Sequence, residues 1–193
     1  MATTRKYIPD SIVNTPKGKI RILSYKPGKR LKNGKKQHPR VVIEFLKTGT
    51  VISVQTTNIA TGRFHDYREP TVYGFGYIGS PIVIPARCKN SIIRRVYDLW
   101  ANMLKRAYGG YGTSYSGVKV DPRWHNFTHF LNTIQNVQGY SEWEKGEDNY
   151  VLDKDLKEYG NKIYSLDTCM FIKASDNVRE SLLRRWHGNS DSM

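Results

Sequence analysis

Cysteine is almost missing from this chain. Cys88 and Cys169 are the only two in 193 residues, with neither a CxxC pair nor a dense pattern, which excludes a disulfide scaffold and a thiolate zinc site. No stretch approaches the roughly 20 apolar residues of a membrane span, and the opening MATTRKYIPD lacks the apolar centre of a signal peptide. Neither a basic amphipathic helix nor a lipidation signal points to a membrane surface. Gly109-Gly110-Tyr111-Gly112 is not followed by the GK[ST] of a phosphate-cradling loop. His125 and His129 are four apart, a spacing that suits a metal, but HExxH and a third Cys or His partner are missing, so they read as surface or core histidines.

Acid is also scarce. Asp and Glu number 17 against 31 Lys and Arg, giving a formal charge of +14. A polyanion is the simplest partner, and clustering of the charge among Tyr and Trp favours nucleic acid. Duplex DNA is the expected partner, with RNA second; no membrane is expected, and oligomeric state is left open. Hydrophobic content of 38%, of which aromatics supply 12%, is enough for a packed core. An intracellular, cytoplasmic protein is expected.

The N-terminal third alternates with the period of β structure. Lys19 to Leu23, Val41 to Phe45 and Val51 to Gln55 are short β-branched runs divided by turn signals such as Thr48-Gly49. They predict a small antiparallel sheet or barrel-like module ending between Pro70 and Gly79. Between the first two runs, Lys26 to Arg40 carries seven Lys or Arg and no acid. It reads as a loop in which Lys29, Arg30, Lys32, Lys35 and Lys36 contact phosphate, fixing position without reading bases. Val72 to Gly79 alternates aromatic residues with glycine and reads as a strand packed on this module, in preference to a platform for bases. Its GYIG is not a GIY-YIG nuclease signature, because the upstream GIY is absent. Ser80 to Arg87, with Pro81 and Pro85, reads as a linker. The division expected is 1–85 and 86–193.

After the linker, Asn90-Ser91 opens a helix to about Ala107, with an apolar stripe through Ile92, Val96, Leu99, Trp100 and Met103. Arg94, Arg95, Lys105 and Arg106 lie off the stripe and are expected to face phosphate. Val118 and Val120 suggest a short strand, and Trp124 through Val137 a second amphipathic helix.

The stretch Asn149 to Asn177 gathers carboxylates and amides at turns. Tyr150 to Leu152 is a strand ending in Asp153-Lys154-Asp155, Gly160-Asn161 is a turn, and Cys169 to Ile172 is a second strand. Ser175 or Asp176 then caps a helix through Val178, Leu182 and Leu183. In a strand, loop, strand, helix unit, a carboxylate ending the first strand and an amide opening the helix can converge on one Mg²⁺. The plainer reading of the same residues is ordinary turn carboxylates, a helix cap at Asn177 and a buried Cys169.

LDKDL, GNKIYS, DTCMF and Asn177, in that order, resemble the ββα-metal unit of phage HNH endonucleases of the homing-endonuclease-like branch. LWANMLKRAY at 99–108 and VKVDPRWHNFTHFL at 118–131 are similar to the helical lead-in of those proteins, so the likeness covers roughly the C-terminal half. It implies metal-dependent phosphodiester hydrolysis in an infected bacterial cell, with Mg²⁺ or Mn²⁺ held by Asp153 and Asn177, and by Asp155 if the register differs by two. Thr168 falls near the family's middle Asn, and Thr168 or Asp167 supports the loop. Lys154 stands where the family has a general-base histidine and is assigned to the scissile phosphate. The alternative is a protein of the same fold that binds DNA, as a regulator or a virion or packaging accessory, without cutting it. In either case the fold class expected is α+β: an N-terminal β module, then helices and the ββα unit.

Overall fold

The computed structural model describes residues 7–86, 91–110, 112, 115–146, 149–158, 160–179 and 182. The fold is α+β, in two compact units that divide at Glu69/Pro70. The division expected at 85 lies further along the chain, because Val72, Ile78, Ile82 and Ile84 pack on the core of the second unit. Among the described residues no helix is long and apolar enough to cross a membrane.

Alternation builds the first unit. Strands β1 (Ile12–Thr15), β2 (Gly18–Lys26), β5 (Arg40–Phe45) and β6 (Val51–Gln55) form an antiparallel sheet in the order β1-β2-β5-β6. Ile20 and Ile22 of β2 face inward with Val41, Ile43 and Phe45 of β5, while Lys19 and Arg21 face out. Helix α1 (Thr56–Thr61) and the chain beyond it close the core with Ile59 and Phe64. A bulge between Ile22 and Ser24 adds one residue to β2, which increases local twist.

The basic stretch expected to be a loop is ordered as a hairpin of β3 (Lys29–Arg30) and β4 (Lys36–Gln37). At its tip Lys35 N donates to Asn33 Oδ1 at 3.1 Å, and Gly34 takes a φ of 80°. Such a turn favours glycine. Gly28 at its base has no room for a side chain, since a Cβ would lie 2.6 Å from the Gln37 carbonyl.

The second unit is organised on α2 (Ile92–Tyr108), whose Val96, Trp100, Met103 and Leu104 are buried. Trp100 Nε1 donates to the Trp124 carbonyl at 2.7 Å, fixing the helix to the segment that follows. That segment, which periodicity predicts as one helix, is three pieces: a 3-10 turn at Pro122–His125, α3 (Phe127–Thr133) and a second 3-10 turn at Ile134–Asn136. Asn126 makes the break by leaving helical geometry, its Oδ1 accepting from Thr128 N and His129 N as an N-cap. Helix α4 (Tyr140–Lys145) follows.

Two small sheets complete the unit. β7 (Lys119–Val120) pairs in parallel with β9 (Ile163–Tyr164), and β8 (Tyr150–Asp153) pairs antiparallel with β10 (Met170–Lys173). Residues 174–179 are helical directly after β10. Ser175 and Asp176 therefore stand inside the first turn and do not cap it. Val178 and Leu182 are exposed, and Leu183 lies outside the described residues.

The segment 72–79 packs on α2 and not on the first module. A Cβ at Gly76 would lie 2.8 Å from Cζ2 of Trp100 and overlap Leu104. Tyr77 N donates to the His125 carbonyl, and Phe127 N to the Tyr77 carbonyl.

Candidate metal and nucleic-acid site

Strand β8 buries Leu152 and then Asp153, which is 8% exposed. The strand ends at Asp153 because its Oδ2 accepts from the backbone N of Asp155 at 3.0 Å and of Leu156 at 2.8 Å, an Asp side chain turning its own backbone. Lys154 extends its ammonium to 3.4 Å from Asp155 Oδ2 and 5.9 Å from the centre of the Tyr164 ring. Asn161 clips the far side of the loop: its Nδ2 donates to the carbonyls of Lys154 at 2.6 Å and Ile163 at 2.8 Å. Thr168 supports the same place from the other side, its Oγ1 donating to the Ile163 carbonyl at 2.7 Å. Asp167 contributes its carbonyl to Lys157 Nζ at 3.4 Å.

Burial pushes the Asp153 carboxyl above its ordinary value, and the charge of Asp155 pushes it further; the two loop amides pull the other way. Desolvation and a neighbouring negative charge both favour the protonated form of a carboxyl. Arg106, half-buried, hydrogen-bonds Tyr164 and lies in the field of Asp153. Its burial works against its charge, and these partners outweigh that effect. The Tyr164 hydroxyl is raised by burial, against the opposing pull of Arg106. Beneath the loop, Cys169 is fully buried and its thiol is pushed up to about 12 by burial, as suits a small core residue.

These residues can hold one hard divalent cation. Asp153 keeps Oδ1 outside its loop hydrogen bonds, and Asp155 presents a second carboxylate whose repulsion a cation would relieve. Mg²⁺ uses one or two protein carboxylates and completes its octahedron with water and substrate oxygens. Among the described residues no group of three His, Cys, Asp or Glu side chains converges, so an all-protein cage is not formed. Asn177 lies on the helix that follows β10. Asp153 pairs with Met170, whereas the helix carrying Asn177 begins beyond Lys173, which pairs with Tyr150. Three residue pairs at about 3.3 Å each separate Asp153 from that end of the sheet.

The basic residues divide into engaged and presented ones. Lys29, Arg30, Lys32, Lys35 and Lys36 are all exposed on the β3/β4 hairpin, beside an open cleft of about 300 Å³. On α2, Arg94 pairs with Asp98 at 2.7 Å. Arg95 donates to the carbonyls of Trp143 and Glu144 and lies 4.7 Å over the Trp143 ring, so it fastens α4 to α2. Lys105 and Arg106 line an open cleft of about 330 Å³ with Asn102 and Tyr115. His125 is half-buried against Phe75, its Nε2 2.9 Å from the Tyr108 hydroxyl. His129 belongs to a separate element, past the Asn126 break.

Tyr164 and Asn161 join the site without having been singled out for it, and Arg106, expected to face phosphate, joins them from α2. Arg106 carried a readable signal: it follows Leu99 by seven residues and Met103 by three, so its stem borders the apolar stripe. Tyr164 and Asn161 carried none beyond the GNK turn, because the parallel β7/β9 pairing that seats them joins segments more than 40 residues apart. The chain matches no protein-family model, and no curated protein or solved structure matches it significantly.

Proposed function

We propose that this protein binds duplex DNA and hydrolyses its phosphodiester backbone with Mg²⁺ or Mn²⁺ at the Asp153 carboxylate, as do the phage HNH endonucleases its C-terminal half resembles. The supporting observation is the pair Asp153 and Asp155 on the turn that leaves β8, where the chain runs β8, a loop holding the short β9, then β10 and a helix. Asp153 and Asp155 hold the metal. When bound, the metal would supply Lewis acidity to the phosphate and would orient and acidify an attacking water. Lys154 and Arg106 neutralise the phosphate, and Thr168 and Asn161 fix the loop. Asn177 acts from the helix, as the resemblance implies. The site of action is the cytoplasm of the infected cell, on duplex DNA.

A second reading keeps the DNA and omits the cut. It is favoured by one observation, the engagement of Lys154 with Asp155 at 3.4 Å in the place of a histidine base. Incubation of supercoiled plasmid with the protein in Mg²⁺, Mn²⁺ or EDTA separates the two. Cleavage is expected with metal, none with EDTA, and a loss of at least about a hundredfold in Asp153→Ala, the scale on which loss of a metal-activated nucleophile is felt. Tight binding without cleavage in any metal overturns the hydrolytic reading and leaves the binding one.

A further inference from the structure

The segment Val72 to Gly76 forms a tight turn: Val72 N donates to the Gly76 carbonyl at 3.0 Å, and Phe75 N to the Val72 carbonyl at 3.2 Å. Its two central residues, Tyr73 and Gly74, both have positive φ, 52° and 77°. That is the pattern of a primed hairpin turn, which favours Asn, Asp or Gly at the first position. A bulky aromatic residue is rarely held there. Tyr73 is nevertheless 42% exposed, and Phe75 is 47% exposed although it stacks on Tyr108 at 3.9 Å. Gly76 beds the turn on Trp100 and Leu104, so the tip is rigidly seated. Core packing therefore leaves unexplained why a strained, exposed tyrosine occupies the tip, and strain of this kind concentrates at functional sites.

The tip is placed beside charge. Tyr73 lies within the electrostatic reach of Tyr97 on one flank of α2, while Arg106 on the other flank hydrogen-bonds Tyr164 and lies in the field of Asp153. The outward face between carries Arg94, Asn102 and Lys105, and its one acid, Asp98, is paired with Arg94. Tyr97 and Arg106 lie nine residues apart on α2, about 13.5 Å along the axis and on opposite flanks of a helix about 10–12 Å wide, so the two are roughly 17 Å apart, or about five steps of a nucleic-acid strand at 3.4 Å each.

We infer that Tyr73, backed by Phe75, is a base-contacting wedge: it stacks against the bases of bound duplex DNA about five steps from the phosphate held at Asp153. A rigid aromatic at the end of a basic track is suited to that ligand, because every base offers a π face and the adjoining backbone is anionic. This rests on the DNA-binding reading proposed above.

The test compares the full-length protein with Tyr73→Asn and Tyr73→Phe, using a duplex that carries 2-aminopurine. Asn accepts positive φ, so Tyr73→Asn is expected to melt at or above the wild-type temperature. Its affinity by fluorescence anisotropy is expected to fall about ten- to a hundredfold, with loss of the 2-aminopurine rise and an unchanged salt slope. Tyr73→Phe is expected to retain both signals. Wild-type affinity and wild-type 2-aminopurine fluorescence in Tyr73→Asn overturn the wedge while leaving DNA binding intact. A wild-type protein that binds no duplex overturns the underlying reading and the wedge with it.

Discussion

Single side chains that bond to backbone decide where elements stop. Asn126 divides what periodicity alone reads as one helix, Asp153 ends β8 by accepting two amides, and Asn161 holds the loop that follows. The residues that bring chemistry are few and close: Asp153 and Asp155 repel, and Lys154 and Arg106 compensate. His125 offers a pH test at this scale. Burial lowers its pKa below the ordinary 6.5, with Asp121 opposing weakly, so the folded state prefers the neutral ring. Neutral His125 therefore contributes stability that is complete above pH 6.5 and drains as the pH falls through the lowered value. In melting curves from pH 7.5 to 5, the advantage of wild type over His125→Gln is expected to shrink. An advantage independent of pH would contradict this assignment.

At the scale of elements, patterns that declare themselves by burial were legible. Ile20, Ile22, Val41, Ile43 and Phe45 alternate, and β2 and β5 lie where that alternation places them. The stripe from Ile92 to Leu104 likewise marks α2. Elements held by backbone pairing alone were not legible. β3 and β4 carry no apolar residue, and the two-residue β9 pairs with a partner more than 40 residues away, whereas that partner, β7, falls where Val118 and Val120 suggest a short strand. The β3/β4 hairpin holds the five cations in an ordered array, and all five are exposed, so replacing Lys29, Arg30, Lys32, Lys35 and Lys36 by Gln should spare the fold. It should weaken duplex binding about equally for all sequences. For every phosphate left without its cation, the dependence of log affinity on log salt should flatten by about 0.9. Unchanged affinity and slope would remove the hairpin from the interface.

At the scale of the whole molecule, each unit has a core of its own, and the +14 charge is concentrated in the first, where 15 Lys and Arg stand against 4 acids, with 16 against 13 in the second. Prolines 81 and 85 suggest a linker, but Ile82 and Ile84 between them are packed, which moves the boundary back to Glu69/Pro70. The carboxylate turn was legible as an Asp-Lys-Asp motif, but its setting beside Arg106 and Tyr164 required the tertiary fold. The central claim is that this turn holds a divalent metal for work on DNA. Titration of the free protein with Mn²⁺, followed by electron paramagnetic resonance, tests it most directly. One Mn²⁺ per chain is expected, competed by Mg²⁺, and weakened at least about tenfold in Asp153→Ala and in Asp155→Ala, the scale set by losing one charged ligand. Equal Mn²⁺ affinity in all three proteins would contradict it.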